Sequence, residues 1–367
     1  MKVCHLSSVH PRNDIRIFLK ECISLRDAGY DVSYVVADDL GNDEIQSIKI
    51  FDVGKLKYRF SRIFLSTLKV VIKGVTIKAD VYHFHDPELA IFCLVYRLMG
   101  KKVIFDVHEN VAEQIQDKPW LSNFQKKFLS RLFNSLNKFF AKTFYTIIAE
   151  KSYCNIYDKI SLNFPLTIIL NYPKLNFFKS YQNFKRGGNE FFYIGGVSNN
   201  RGLDTILEAF DILDRKNIDF KMHFVGAISD KPNFEKYPNL IDKVIFHGRK
   251  NLEDGYEISR QCIAGLAILK PIGNYVKSYP TKIFEYMAVG LPVVASNFSL
   301  YKEIVEDNDI GWCVDPNSPT EIADVLIEII NTKIIEKISY RAVKQSSNYS
   351  WKNEETKLLM LYRTIFE

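Results

Sequence analysis

Ser278-Tyr279-Pro280-Thr281-Lys282-Ile283-Phe284-Glu285-Tyr286-Met287-Ala288-Val289-Gly290-Leu291-Pro292-Val293-Val294-Ala295-Ser296 reads as a loop, a helix, a glycine stop and a short buried strand. Ser278 as cap and Pro280 in the first turn are good helix-opening chemistry. Gly290 and Pro292 end the helix, and Val293-Val294-Ala295 suits a parallel strand covered on both faces. A loop running into a helix N-terminus offers unpaired N–H groups and a dipole's positive end, which suits a diphosphate. Lys282 adds a cation one turn in. Glu285, a further turn along, is placed to accept hydrogen bonds from a diol such as ribose. A capped helix with a surface Lys and Glu explains the local pattern equally well.

Outward from this segment the same alternation recurs. Before it stand strand Glu190–Ile194, helix Gly202–Leu213, strands Phe220–Val225 and Val244–Phe246, helix Leu252–Cys262 and strand Ala264–Leu269. Thr320–Ile330 follows as a late helix. In the first half, strands are expected at Val3–Leu6, Val32–Val36, Ile48–Val53, Val81–Phe84 and Val103–Val107. Helices are expected at Ile15–Ala28, Phe60–Gly74 and Leu89–Met99, and a long one over Phe124–Ala149 that leads into or overruns a strand near Thr146–Ile148. Strand–helix alternation of this kind predicts parallel sheets with helices on both faces. The fold class is therefore α/β, with two doubly wound Rossmann-like domains and a ligand expected between the C-terminal edges of their sheets. The boundaries fall at 1–170, a polar strand-poor linker at 171–188, and 189–350. At 367 residues the chain suits two such domains.

Composition narrows the function classes. The apolar and charged fractions are ordinary for a globular protein, and no window approaches the uncharged apolar length that spans a bilayer. Six scattered cysteines lack metal-type spacing, so buried free thiols in a reducing compartment are expected. The chain enters its first strand without a signal-type run, which reads as cytoplasmic. The net charge of +6 lies wholly in residues 1–170. Seven basic residues and no acid stand between Asp52 and Asp80, and six between Asp117 and Glu150. Along Leu121–Phe144, Phe124, Phe128, Leu132, Leu136, Phe139 and Phe140 fall on one helical arc flanked by Lys127, Arg131, Lys138 and Lys142. That pattern suits an anionic membrane surface, while a core-packed helix with a solvated basic face remains open. Nucleic acid is not an expected partner, because no recognition motif accompanies the charge.

Ile194-Gly195-Gly196-Val197-Ser198-Asn199-Asn200-Arg201-Gly202-Leu203 is a strand end, a glycine pair, a polar turn and a helix start. Adjacent glycines let a bulky ligand approach the backbone, and Arg201 could hold a diphosphate oxygen. His83-Phe84-His85-Asp86-Pro87-Glu88 and Asp106-Val107-His108-Glu109-Asn110 each follow a strand and so reach the C-terminal edge of the first sheet. Neither offers ligands at helical i, i+4 spacing, so no metal is expected there. His108 reads as a partner of a sugar hydroxyl or as a satisfied core histidine. His10-Pro11-Arg12-Asn13-Asp14-Ile15-Arg16 could line an acceptor pocket, or simply open a helix with Asp14 as its cap. His10, Asp14, Arg16, His85, Asp86 and His108 form the acceptor-side candidates. Lys277, Ser278, Tyr279, Pro280 and Thr281 join Gly195, Gly196, Arg201, Lys282 and Glu285 as donor-side candidates.

These residues resemble a glycosyltransferase of family 4 with the GT-B fold. The likeness is strongest over 190–316 and is supported by 1–37 and 81–115. It rests on Gly195-Gly196 to Arg201-Gly202, and on Phe284-Glu285-Tyr286-Met287-Ala288 with Gly290-Leu291-Pro292-Val293-Val294-Ala295. The resemblance implies retaining transfer of a sugar from a nucleoside diphosphate, uridine or guanosine, by a front-face route without a metal or other cofactor. It implies that Glu285 binds the donor ribose, that Arg201 is the cation of the phosphate turn, and that His108 contacts the donor sugar. The catalytic set implied is therefore His108, Arg201, Lys282 and Glu285. It also implies that the final helix, Trp351 to Phe366, crosses back to the N-terminal domain. The expected acceptor is a polyprenyl-diphosphate-linked glycan in O-antigen or capsule assembly, at the inner face of the plasma membrane. Two positions depart from the family pattern. Lys277 stands where the first Glu of Glu-x₇-Glu falls, and Gly196 stands where an Arg usually follows the first glycine. Lys282 is proposed to supply the missing charge. A sugar-nucleotide epimerase on the same fold, or a module that only binds the glycan or the nucleotide sugar, are the alternatives.

Overall fold

A computed structural model of the chain describes residues 1–56, 62–108, 111–116, 121–158 and 160–367. Lys57, Arg59 and Phe60 of the basic run, Glu109 and Asn110, and Asp117 and Lys118 lie outside the described residues. The chain divides into two compact units, Met1–Asn171 with Trp351–Glu367, and Tyr172–Ser350.

The first unit is built on eight strands: β1 Lys2–Leu6, β2 Asp31–Val36, β3 Asp43–Ile45, β4 Ile48–Asp52, β5 Val81–Phe84, β6 Lys102–Val107, β7 Tyr145–Ile148 and β8 Leu166–Ile168. They lie in the order β3-β4-β2-β1-β5-β6-β7-β8, parallel except for the β3–β4 pair. Alternate residues serve opposite faces. Val3, Val81, Ile104 and Ile147 join Ile17, Tyr34 and Trp351 on one side, while Cys4, Tyr82, Val103 and Phe105 join Val70 and Phe140 on the other. Burial on both faces is why these strands read as unbroken apolar runs. The helix Trp351–Phe366, last in sequence, packs on the first of these faces: Trp351 Nε1 donates to Ser24 Oγ at 2.9 Å, and Tyr362 meets His83 at 3.0 Å.

The second unit has six strands, all parallel, in the order β11-β10-β9-β12-β13-β14. These are β9 Glu190–Ile194, β10 Lys221–Val225, β11 Val244–Phe246, β12 Ala264–Ala267, β13 Val293–Ser296 and β14 Gly311–Val314. Helices Leu203–Arg215 and Thr281–Val289 follow β9 and β12, which are hydrogen-bonded neighbours.

Four expectations need correction. Residues 171–188 are not a free linker: Tyr172–Gly188 belongs to the second unit, and the Arg186 guanidinium donates to the carbonyls of Val289, Gly290, Ser259 and Cys262 at 2.7–2.8 Å. It thereby satisfies carbonyls that two helix ends leave open. Leu89–Met99 is not one helix but a 3₁₀ turn at Pro87–Leu89 and a short helix at Leu94–Leu98. The long helix stops at Thr143, and Tyr145 opens β7. The cap at the opening segment is Pro280 without a side-chain bond, since Ser278 lies before the helix and its N–H donates to Asn274 O at 2.9 Å.

Candidate functional site

In the second unit the β9 and β12 strands deliver two loops side by side at their C-terminal ends. Gly202, at φ +81°, ends the first loop, and a Cβ there would lie 2.6 Å from Ile268 O of the second. Only glycine lets the loops approach this closely. Gly195, at φ +126°, leaves a hollow into which two cations point: a Cβ there would sit 3.3 Å from Lys282 Nζ and 3.6 Å from Arg201 Nη1. Gly196 flanks the same Arg201 nitrogen at 3.7 Å and passes its carbonyl to Tyr193 OH at 2.6 Å.

Lys282 is buried, and among the described residues its Nζ has no hydrogen-bond partner. The ammonium lies 3.5 Å from the centre of the Tyr193 ring, a cation–π contact that partly offsets its lost hydration. Burial, and then the Arg201 charge, push the Lys282 pKa well below the ordinary lysine value, against the opposing pull of Glu285. Glu285, one turn along the same helix, accepts a 2.5 Å hydrogen bond from the buried Tyr256 hydroxyl. Arg201 is backed by Tyr275, 5.9 Å from its ring centre. Two cations, a carboxylate and a helix N-terminus therefore meet at one strand edge, a combination whose chemistry suits a phosphate-bearing ligand. Gly195, Gly196, Arg201, Lys282 and Glu285 are brought together as the sequence predicted. Lys277 and Thr281 are exposed on the approach to the helix. Tyr279 instead packs against Phe284 and Tyr172, at ring distances of 6.0 and 6.3 Å.

The acceptor-side candidates of the first unit join one polar network beyond β1, β5 and β6. Asp86 accepts from Ser7 Oγ at 2.9 Å and from the Ser8 N–H at 2.5 Å, so it organises the loop after β1. Asp14 accepts the Arg16 and Ile17 N–H groups at 2.9 Å, and thus opens the helix Ile17–Cys22. His10 bridges the two carboxylates, 3.2 Å from Asp14 and 3.4 Å from Asp86. Arg16 grips Asp106 with two nitrogens at 3.0 and 3.1 Å. His108 Nε2 lies 2.9 Å from Asp106 Oδ2 and 3.0 Å from His85 Nδ1. Burial drives the His85 pKa down to about 4. Arg16, His85 and Asp86 are enclosed, so among these six it is His10, Asp14 and His108 that keep side-chain surface for a ligand.

The helix Asn123–Thr143 carries a full capping box between Ser122 and Gln125. Phe124, Phe128, Leu132, Leu136 and Phe139 are exposed, and of the predicted arc only Phe140 is buried. The core-packed reading of this helix is therefore overturned. Lys127, Arg131 and Lys142 are also exposed, with Lys138 half-buried. Among the described residues, no helix is long and apolar enough to cross a membrane.

The description "Glycosyl transferases group 1" matches residues 176–346, nearly the whole second unit. Over those residues the chain is similar to the group 1 glycosyl transferases. A phosphatidyl-myo-inositol mannosyltransferase of Mycobacterium leprae is 21% identical over 50% of this chain, and the chain spans about half, 48%, of that relative's length. A Haemophilus influenzae protein known only as an uncharacterized glycosyltransferase is 25% identical over 86% of both chains. Among solved structures, the sucrose-phosphate synthase of Thermosynechococcus elongatus superposes with a TM-score of 0.76 at 14% identity, covering 100% of this chain and 99% of its own. The Anabaena protein HepE, solved with UDP-glucose, gives 0.70 at 13% identity over 99% and 100%. The fold is thus GT-B, with two Rossmann-like units. Within the second unit, sequence reasoning missed Tyr193 and Tyr256, which hold Lys282 and Glu285 through tertiary contacts that leave no local signature. In the first unit it missed Asp106, Glu21 and His5.

Proposed function

We propose that the chain is a retaining, metal-independent glycosyltransferase. It takes a sugar from a UDP- or GDP-sugar and places it on a lipid-linked glycan, such as a polyprenyl-diphosphate oligosaccharide, at an anionic membrane surface during surface-polysaccharide assembly. The observation that carries this reading is the buried Lys282 ammonium, unpartnered and aimed with Arg201 at the hollow over Gly195. A buried cation without a hydrogen-bond partner is costly unless a ligand anion completes it. Its charge replaces the arginine that Gly196 lacks. The nucleoside-diphosphate sugar held by HepE and the lipid acceptor named for the M. leprae relative support the substrate classes.

In the proposed reaction the diphosphate lies over Gly195 and Gly196 between Arg201 and Lys282, and Glu285 accepts the ribose hydroxyls. The bond from the anomeric carbon to the phosphate oxygen breaks as charge builds on the diphosphate, where the two cations and the helix dipole stabilise it. The acceptor oxygen attacks the anomeric carbon from the face the leaving group occupies, and its proton passes to the departing phosphate oxygen. No protein acid is needed at the leaving group, because the nucleoside diphosphate is a stable anion once its charge is held. His108 would orient the sugar, with its own ring fixed by Asp106. Lys277, in place of a carboxylate, gives the site a different contact to the sugar hydroxyls and so a different donor preference.

Thermal-shift titration with a panel of UDP- and GDP-sugars tests the reading. One donor should raise Tm selectively, by the equivalent of about 2.7 kcal/mol at a hundredfold excess over Kd. A chain that responds to no nucleotide sugar and no free nucleoside diphosphate is not this enzyme.

A further inference from the structure

A second cluster lies in the first unit, on the side of the sheet that faces the helix Trp351–Phe366. His5 of β1 and His83 of β5 are register partners across adjacent parallel strands, so their side chains share that face. His85 follows two residues later on the same face, and Glu21 reaches in from the helix Ile17–Cys22. All four side chains are essentially fully buried. Each offers one ligand-capable atom, and the four atoms all lie within 4.8 Å of one another. No two of the four are at helical spacing, which is why segment-by-segment reading of the histidines gave no metal signal.

The polar atoms here are not satisfied by each other. Among the described residues, His5 Nε2 and His83 Nε2 have no hydrogen-bond partner, and Glu21 pairs with Arg16 Nε through Oε1 at 3.1 Å while its Oε2 is left without a hydrogen bond. Glu21 Oε2 stands 3.9 Å from His83 Nε2 and 3.9 Å from His85 Nε2. That is too long for a direct hydrogen bond, and a few tenths of an ångström more than the roughly 3.3–3.6 Å between two donors of one tetrahedral ion at about 2.0–2.2 Å from each. The remote ring nitrogens are meanwhile occupied, as expected of metal-bound histidines. His83 Nδ1 lies 3.0 Å from Tyr362 OH, and His85 Nδ1 lies 3.4 Å from Asp106 Oδ2. Asp106 is itself clamped by Arg16. His5 Nδ1 and His85 Nε2 are hydrogen-bonded to each other at 2.9 Å, a bond that an ion held by both rings would replace.

The geometry points to a buried divalent-cation site of the zinc type, held by His83, His85, His5 and Glu21. Imidazole with one carboxylate is a borderline donor set that suits zinc over the harder magnesium or calcium. The site is separate from the diphosphate cradle, and the transfer chemistry proposed above does not pass through it. Its ion would fix the ring of His85, and through the 3.0 Å contact with His108 it would hold that partly exposed ring as well.

The test uses the full chain. After chelation and dialysis it is titrated with Zn²⁺, and separately with Co²⁺ as a spectroscopic probe. About one zinc per chain is expected, and Co²⁺ should show the visible bands of a low-symmetry site of four or five nitrogen and oxygen ligands. In Glu21→Gln, zinc affinity should fall by about tenfold or more. Less than a tenth of a zinc per chain after loading would overturn the proposal and leave an ordered water between Glu21 and the histidines. So would unchanged affinity in a folded Glu21→Gln. Should that variant fail to fold, the cobalt spectrum of the unaltered chain decides, since featureless hexa-aquo absorption excludes the site. Stabilisation by nucleotide sugars, measured on the same samples, reports on the second unit. A chain that fails to load zinc yet is still stabilised by nucleotide sugar would overturn this inference alone.

Discussion

Lys282 concentrates the physics of the second unit in a single side chain. Its ammonium is out of water, beside another cation, with an aromatic face as its company. Lys282→Ala should lower turnover at saturating donor by about 10²–10³-fold, since it removes a charge that acts where the diphosphate gains its own. Near-normal turnover would move the missing charge elsewhere. Because burial depresses the pKa of the free enzyme's lysine, and a bound diphosphate favours the ammonium, binding should take up a proton when the free amine is neutral. Affinity should therefore weaken as pH rises through that depressed pKa. Calorimetry in buffers of different ionisation enthalpy reads the uptake, which Lys282→Met should abolish. Tyr256→Phe removes the hydroxyl that holds Glu285 and should raise the donor KM about tenfold with little change in kcat, as expected when a hydrogen bond to a charged group is lost. At this scale Gly195, Arg201, Lys282 and Glu285 were legible in the sequence, because strand–turn–helix chemistry is local. Tyr193 and Tyr256 were not, because a ring under an ammonium or a hydroxyl on a carboxylate is settled by packing.

Among the elements, the helix Asn123–Thr143 is the one whose exposed face calls for a partner. Five large apolar residues along it are in water, and basic side chains flank them. Joint replacement of Lys127, Arg131, Lys138 and Lys142 by Gln should weaken association with anionic vesicles by about 1 kcal/mol for each charge that reaches the surface. Co-sedimentation that is insensitive to these changes and to salt would remove the membrane from the proposed function. Periodicity placed this helix well but left its face ambiguous, since an apolar arc looks alike whether a core or a bilayer covers it. Gly290, at φ +68°, ended the helix Thr281–Val289 as read, because a left-handed residue after a helix is a local demand. The three-residue edge strands β3 and β8 were not legible, because they are too short for a periodic signal.

For the whole molecule, the repeated strand–helix rhythm was enough to predict two doubly wound units, since buried parallel sheets leave long apolar runs separated by turn chemistry. The true seam at Asn171–Tyr172 was obscured because Tyr172–Gly188 is polar in sequence yet tied down by Arg186. The first unit is discontinuous, completed by Trp351–Phe366. Trp351→Ala should cost that unit about 3–5 kcal/mol, through the lost ring and the lost bond to Ser24. In a denaturation scan, one transition should shift strongly, while the transition stabilised by nucleotide sugar should stay in place.

That discontinuity sets an order of birth on the ribosome. The stretch that covers Ile17, Tyr34 and Val81 leaves the exit tunnel only after the whole second unit, so the earlier-made half must wait, greasy side bare, while the later-made half can already close. Nascent chains halted just short of Trp351 should accordingly recruit chaperones at their beginning and resist protease toward their end.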